Sequence, residues 1–418
     1  LKADQGYPKK SIEYVLNNSK INIEDIDIFV FAGQKCGLFH SILKPSALFT
    51  VDDWLYQNEK YWKPTLIEKQ SLSPLDDFNI LKNRISNIEE NPYYALAEQV
   101  RSQPEANPYD LMNKIRIKTL VNHLGIEENK ISFIRHEECH QYYGYFSQNN
   151  FKSNALVFTL EGGGDDSSAT VSIGENEIIS EKYKTNESMI GRLYRYITLL
   201  LGMKPNQHEY KVMGLAPYGT FYHGEKSLNH FRKFDKVENG QLINQKIFSD
   251  VYYSSKKMLE GQRFDGIAWG LQTYLEETLE KWVVENISKY RINDVIVSGG
   301  VAQNIKAMQV LIKNNNVKSV WAGPISGDGS LAIGAAWSIH KKMSTSSIEG
   351  LKTIYLGSEM SKNDIDIELK KISGKYHIIE NYTNRDVANW LSEGYIIARC
   401  EERGKKREVG GGRREERG

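Results

Sequence analysis

Two histidines, His136 and His140, close the run Ile131-Ser-Phe-Ile-Arg-His-Glu-Glu-Cys-His140. On a helix that spacing stacks both imidazoles on one face, where two ring nitrogens can share a metal ion. For this spacing alone, an ordinary solvated helix face is the alternative. The motifs further along add weight: Glu161-Gly-Gly-Gly-Asp165, Lys211-Val-Met-Gly-Leu-Ala-Pro-Tyr-Gly219, Ser298-Gly-Gly-Val-Ala-Gln-Asn304 and Gly327-Asp-Gly-Ser330. Together they describe a nucleotide site with a metal. Cys139 lies between the histidines but points about 100° away from their face, so a buried thiol is expected there rather than a ligand.

The glycine runs need elements to aim them. The segment Leu160–Val171 lies between two strand-like runs, so it reads as a hairpin. Its glycines let backbone N–H groups approach an anion, and its acidic residues hold a cation or water; a plain tight turn is the competing use. Val295–Lys306 runs from a strand through a glycine pair into a helix, a place for a nucleotide or simply for close strand-to-helix packing. Asp328 stands at the tip of a second such loop, as an N-cap or a metal ligand. Two histidines and one aspartate leave open positions on a metal, as a site that also holds phosphate oxygens requires.

Strands are expected at Ile26–Phe31, Ala155–Leu160, Asp294–Ser298 and Val317–Ala322, and helices at Ser11–Ser19, Phe264–Lys289 and Leu331–Lys342. This alternation is an α/β plan. Residues 55–107 hold four of the ten prolines and read as an insertion, either a mobile helical excursion that caps a site or a peripheral helical pair. After residue 346 another domain begins, with helices near Asp364–Ile372 and Arg385–Leu391 and a strand at Tyr395–Arg399. Residues 401–418 are almost wholly Glu, Lys, Arg and Gly, and are expected to be disordered.

With 418 residues, 40% hydrophobic and 26% charged, the chain can bury a large core. Its formal charge of +1 gives no field to draw in nucleic acid or an anionic membrane. The three cysteines, Cys36, Cys139 and Cys400, form no disulfide framework, and no run approaches the ~20 apolar residues of a membrane helix. A cytoplasmic protein follows from these features. The start at Leu1, in a polar stretch without methionine, implies a longer natural chain.

The ordered set of motifs resembles the carbamoyltransferase family that includes nodulation protein U and the antibiotic O-carbamoyltransferases. The likeness runs from Lys2-Ala-Asp-Gln-Gly-Tyr-Pro8 through the six motifs to Tyr355-Leu-Gly357, and the run Met213–Gly219 is quite specific. The resemblance implies an actin-like ATPase superfamily fold. Two ribonuclease-H-like lobes would occupy 1–150 and 151–345, and a threonylcarbamoyl-adenylate-synthase-like α/β domain would begin at 346–400. It further implies ATP-dependent formation of carbamoyl adenylate from carbamoyl phosphate, followed by transfer to a hydroxyl of a small molecule such as a sugar or natural product.

In that scheme His136, His140 and Asp328 are the metal ligands. Gly162, Gly163 and Gly164 lie near the phosphate, and Lys211, Gly299, Gly300, Asn304 and Gly327 along the nucleotide. Lys2 and Asp165 are the catalytic candidates. Iron is the favoured metal, with zinc or manganese also suited to the ligands, and magnesium accompanies ATP. The family usually has Asp where Glu161 stands, and its members carry segments beyond both ends of this chain. A homodimer is compatible with the sequence. Two other readings compete. An actin-fold sugar kinase or ATPase would hold magnesium with oxygen ligands, against which the histidine pair argues. A catalytically inactive nucleotide-binding scaffold is the other.

Overall fold

The computed structural model describes residues 7–36, 49–84, 93, 107–148, 154–354, 361–372, 382–401 and 405–409. The chain divides into two compact units, Leu1–Gly350 and Leu351–Gly418.

In the first unit, β1 (Phe29–Ala32) and β2 (Ile131–Ile134) pair in parallel, Phe29 opposite Ile131. The continuous apolar run of β3 (Ala155–Leu160) can leave neither face in water, and it is buried at every position in the middle of a five-stranded sheet. On one side β4 (Ala169–Glu175) and β5 (Ile178–Thr185) continue it as an antiparallel meander. The turn between them is Asn176-Glu177, both with positive φ, as a two-residue hairpin turn demands. A short hairpin, β6 (Asp235–Glu238) with β7 (Gln241–Asn244), follows. On the other side of β3, β8 (Asp294–Ser298) and β9 (Ser319–Ala322) run parallel to it, giving the order β5-β4-β3-β8-β9. The mixed α/β plan expected from the sequence is thus present, with the strand starts shifted by two or three residues at Phe29 and Ser319.

The helix Phe264–Tyr290 fills the largest core. Its Trp282 is fully buried, meets Phe158 of β3 edge-on at 4.9 Å between ring centroids, and donates Nε1–H to the Gly240 carbonyl. No helix among the described residues is long and apolar enough to cross a membrane.

The described part of 55–107 is a packed helical layer rather than a free excursion. Trp54, Leu81 and Tyr93 are buried in one cluster with Phe49, Met112 and Ile115, and that cluster reaches Leu199 and Tyr252.

The helix His136–Phe146, which carries both histidines, follows β2 and lies against the helix Leu331–Met343. Contact is closest at Gly334, where an added Cβ would overlap the carbonyl of Cys139. Gly334→Ala is therefore expected to force the two helices apart and cost about 1–3 kcal/mol, read as a lower urea midpoint. An unchanged midpoint would mean that the helices do not meet there.

In the second unit, the helix Lys362–Ile372 precedes the helix Asn384–Ser392, which opens with a capping box between Thr383 and Asp386. The expectation of a wholly disordered tail needs correction: β11 (Lys405–Val409) pairs antiparallel with β10 (Ile397–Glu401). Ladder hydrogen bonds are made by the backbone, so a composition that cannot bury a core can still form a local hairpin.

Candidate metal and anion site

Four side chains from three segments converge at the carboxyl ends of the strands. His136 and His140 come from one face of the helix after β2, as their spacing predicts, with ring centroids 4.9 Å apart. Glu161 is the first residue beyond β3, and Asp328 opens the turn Asp328–Ser330 between β9 and the helix Leu331–Met343. Parallel pairing of β3 with β8 and of β8 with β9 brings these loops to the same end of the sheet.

His136 Nε2 lies 2.7 Å from a Glu161 carboxylate oxygen, Oε2, and 3.7 Å from Asp328 Oδ1. His140 Nε2 lies 3.4 Å and 3.6 Å from the same two oxygens. One donor atom from each of the four residues falls within 4.8 Å of the others. His140 is completely buried, and neither of its ring nitrogens finds a well-aligned hydrogen bond; the same holds for Glu161 Oε1. Buried polar atoms are seldom left so, and two imidazole nitrogens with two carboxylates are donors that suit a divalent transition ion. The residues fit a metal.

The electrostatics agree. Burial disfavours the charged imidazole of His136, but the Glu161 carboxylate, its hydrogen bond, and Asp328 outweigh it and raise the pKa to about 10. His140 is raised for the same reasons. Burial pushes the Glu161 carboxyl up, but the two histidines pull it, and the exposed Asp328 carboxyl with it, below the usual carboxylate range. The cluster thus balances two negative charges with whatever positive charge is at hand.

The turn Asp328–Ser330 and the helix that follows it have Gly327 and Ser330 at their N-caps, and neither shows a side-chain cap. The Asp328 carboxylate faces the histidines. Asp328→Asn is therefore expected to weaken metal binding by ~10-fold or more, with less than about 0.5 kcal/mol change in stability. Metal titration and thermal melting of the same preparation check this; the opposite ordering would return Asp328 to a structural role.

The other candidates divide. Asp165 is held by three backbone N–H groups, those of Gln34 (2.6 Å), Lys35 (2.7 Å) and His136 (2.7 Å). It clamps the loop after β1 to the start of the histidine helix. Gly33 completes that loop at φ +86°, with Asp165 Oδ1 3.8 Å from where a Cβ would stand. Asn304 caps the helix Ile305–Lys313 and exchanges two hydrogen bonds with Gln272, of 3.0 Å and 2.9 Å. Its amide, expected along the nucleotide, holds the helix start and Gln272 through these bonds. Gly299, at φ +91°, presses on the Leu160 carbonyl, the close packing that was its alternative use. Beside Gly300 an added Cβ would meet nothing within 4 Å, so its backbone is open to a ligand, whereas Gly327 is covered by the Gln303 side chain. Lys211 is exposed on the helix Glu209–Leu215 and is not one of the four donors. Cys139 is buried and its thiol is pushed up to about 12, which suits a structural residue. Lys2 lies outside the described residues.

Gly162, Gly163 and Gly164 form the loop after Glu161, closed by Gly164 N–H donating to the Ser167 carbonyl at 2.9 Å. Over it stand two residues the motifs did not flag, Arg192 and Arg195 of the helix Ile190–Leu200. Nor did spacing single out Glu161 as a donor to the histidine site. The signals available were an i, i+3 arginine pair just after a strand and an acidic residue opening a glycine hairpin.

A family model for the carbamoyltransferase N-terminus matches residues 1–337. An uncharacterised protein of Synechocystis sp. is 22% identical over 431 residues, covering 95% of this chain and 62% of its own length. Nodulation protein NolNO of Sinorhizobium fredii is 26% identical over 284 residues, covering 65% of this chain and 41% of its own length. Nodulation protein NolO of Bradyrhizobium diazoefficiens is 25% identical over 278 residues, covering 63% and 49%. The chain spans about half the length of the curated relatives it matches. Among solved structures, T. kodakarensis HypF superposes with a TM-score of 0.32 at 15% identity, over 58% of this chain and 40% of HypF.

Proposed function

This chain belongs to the carbamoyltransferase family defined by that amino-terminal domain, and from this premise we propose that it carries the transfer site of an O-carbamoyltransferase. The proposed donor is carbamoyl adenylate, made from carbamoyl phosphate and ATP with magnesium. The acceptor is a hydroxyl of a sugar or other small natural product. A new bond joins the acceptor oxygen to the carbamoyl carbon, the bond from that carbon to the AMP oxygen breaks, and the hydroxyl proton passes to solvent. The observation that carries this reading is the convergence of His136, His140, Glu161 and Asp328 beside a glycine loop.

In the proposed site these four residues hold one divalent ion, iron being favoured and zinc or manganese also suited to the donors. When bound, the ion supplies Lewis-acid polarisation of a ligand oxygen. Asp165 fixes the histidine helix against the loop after β1, so the donors are placed before any ligand arrives. The glycine loop offers backbone N–H groups to a phosphate, and the open backbone at Gly300 leaves room for the nucleotide. The fold proposal keeps two ribonuclease-H-like lobes, at 1–150 and 151–345, with an adenylate-forming domain beginning at 346. An antiparallel meander continued by two parallel strands supports it for the second lobe. A protein of this kind is proposed to work in the cytoplasm.

Incubation with carbamoyl phosphate, ATP and a panel of polyols, followed by mass spectrometry, tests the activity. A carbamoylated acceptor that appears only with carbamoyl phosphate is the expected result. A phosphorylated acceptor formed without it would establish the kinase reading instead.

A further inference from the structure

We propose that Arg192 and Arg195 form, with the glycine loop Gly162–Gly164 beneath them, a subsite for a phosphoryl anion adjoining the four-donor cluster. The inference rests on the metal-site reading above and adds the residues that recognise the ligand.

The helix that carries both arginines is docked hard on the loop. Gly191, near its start, touches the Glu161–Gly162 peptide, so closely that any Cβ would overlap it. Arg192 Nε donates to the Gly162 carbonyl at 2.9 Å, which fixes that guanidinium over the loop. Arg195 lies over Gly162 itself: Nη2 is 2.8 Å and Cζ 3.2 Å from where a Cβ would stand. Any larger residue there would push the guanidinium aside.

Burial is the largest influence disfavouring the protonated form of Arg192; the neighbouring Arg195 adds to it, and Tyr196 and the Asp235 carboxylate oppose it. Arg195 is also near enough to help hold the Asp328 carboxylate ionised. Among the described residues, neither arginine forms an ion pair with a carboxylate, and Arg195 donates no hydrogen bond. Partly buried cations fixed side by side over the glycine loop are suited to an acceptor brought from outside. Guanidinium groups match a phosphoryl group with paired, charge-assisted bonds. With a divalent ion on the four donors, the added charge of the arginines is matched by a phosphoryl dianion.

Calorimetric titration of the chain with AMP, adenosine, inorganic phosphate and ribose 5-phosphate, each with and without saturating Zn²⁺, tests this. Arg192→Ala with Arg195→Ala is expected to weaken AMP binding about a hundredfold, some tenfold per lost charged contact. Metal content is expected to stay as in the wild type, which also shows that the variant is folded. Arg195→Lys, which keeps the charge but not the fork, recovers part of the loss. Weakening of AMP and phosphate together assigns the subsite to the nucleotide phosphate. Weakening of ribose 5-phosphate with AMP unchanged assigns it to a phosphorylated acceptor. All three phosphorylated probes within threefold of wild type, or adenosine binding as tightly as AMP, overturns the proposal. A wild-type chain that takes up no metal sinks the metal reading instead, while the zinc-free titrations still decide the arginines.

Discussion

The chain loaded with zinc, iron or manganese is expected to hold about one ion, and His136→Ala with His140→Ala to lose it. Removing two donors should weaken binding by well over ~100-fold, since even outer-shell partners of a metal site cost 10–100-fold. The loss should reach the dialysed protein as metal content near zero by plasma mass spectrometry. The histidine helix should survive, because its contacts with the helix Leu331–Met343 include Cys139 with Gly334, Glu138 with Ser338 and Lys342, and Tyr143 with Trp337, none of which involves the imidazoles. Far-ultraviolet circular dichroism checks that point. Metal retained in a folded double variant would show the imidazoles to be structural, and the four-donor site would have to be abandoned.

Glu161→Gln is expected to have the second largest effect, because it removes one charge and little volume at the buried centre of the cluster. Metal affinity should fall ~100-fold. The variant also has a signature in metal-free protein. His136, raised from 6.5 to about 10, binds its proton more tightly folded than unfolded. The stability this supplies is complete below pH 6.5 and is lost as pH rises towards about 10. Chelator-treated wild type should therefore lose stability across that window, and Glu161→Gln should flatten the slope because the largest charge favouring the imidazolium is gone. A bound divalent ion must expel those protons, so metal affinity should fall as the medium is acidified. Thermal melts from pH 6 to 10, with and without zinc, read both effects. Equal slopes in the wild type and Glu161→Gln would mean that His136 does not owe its proton to Glu161.

What the chain dictates locally was legible from its order of residues. The period of a helix puts positions four apart on one face whatever surrounds them, so His136 and His140 announced themselves as a pair. The apolar run Ala155–Leu160 announced a strand, and the helix Phe264–Tyr290 was legible to within a residue. The motif order gave the family. Which residues meet those histidines was not legible, because it depends on strand pairings between segments far apart in the chain. The parallel pairing of β3 with β8 and of β8 with β9 brings Glu161 and Asp328 to one end of the sheet. The same packing engaged the polar groups of Asn304 and Asp165 with protein partners, while Arg192 and Arg195 stand over the glycine loop with no ion pair to a carboxylate among the described residues. A residue's type and spacing state what it can bind. Whether its hydrogen-bonding capacity is already taken is a property of its neighbours in space, and only the tertiary structure supplies those.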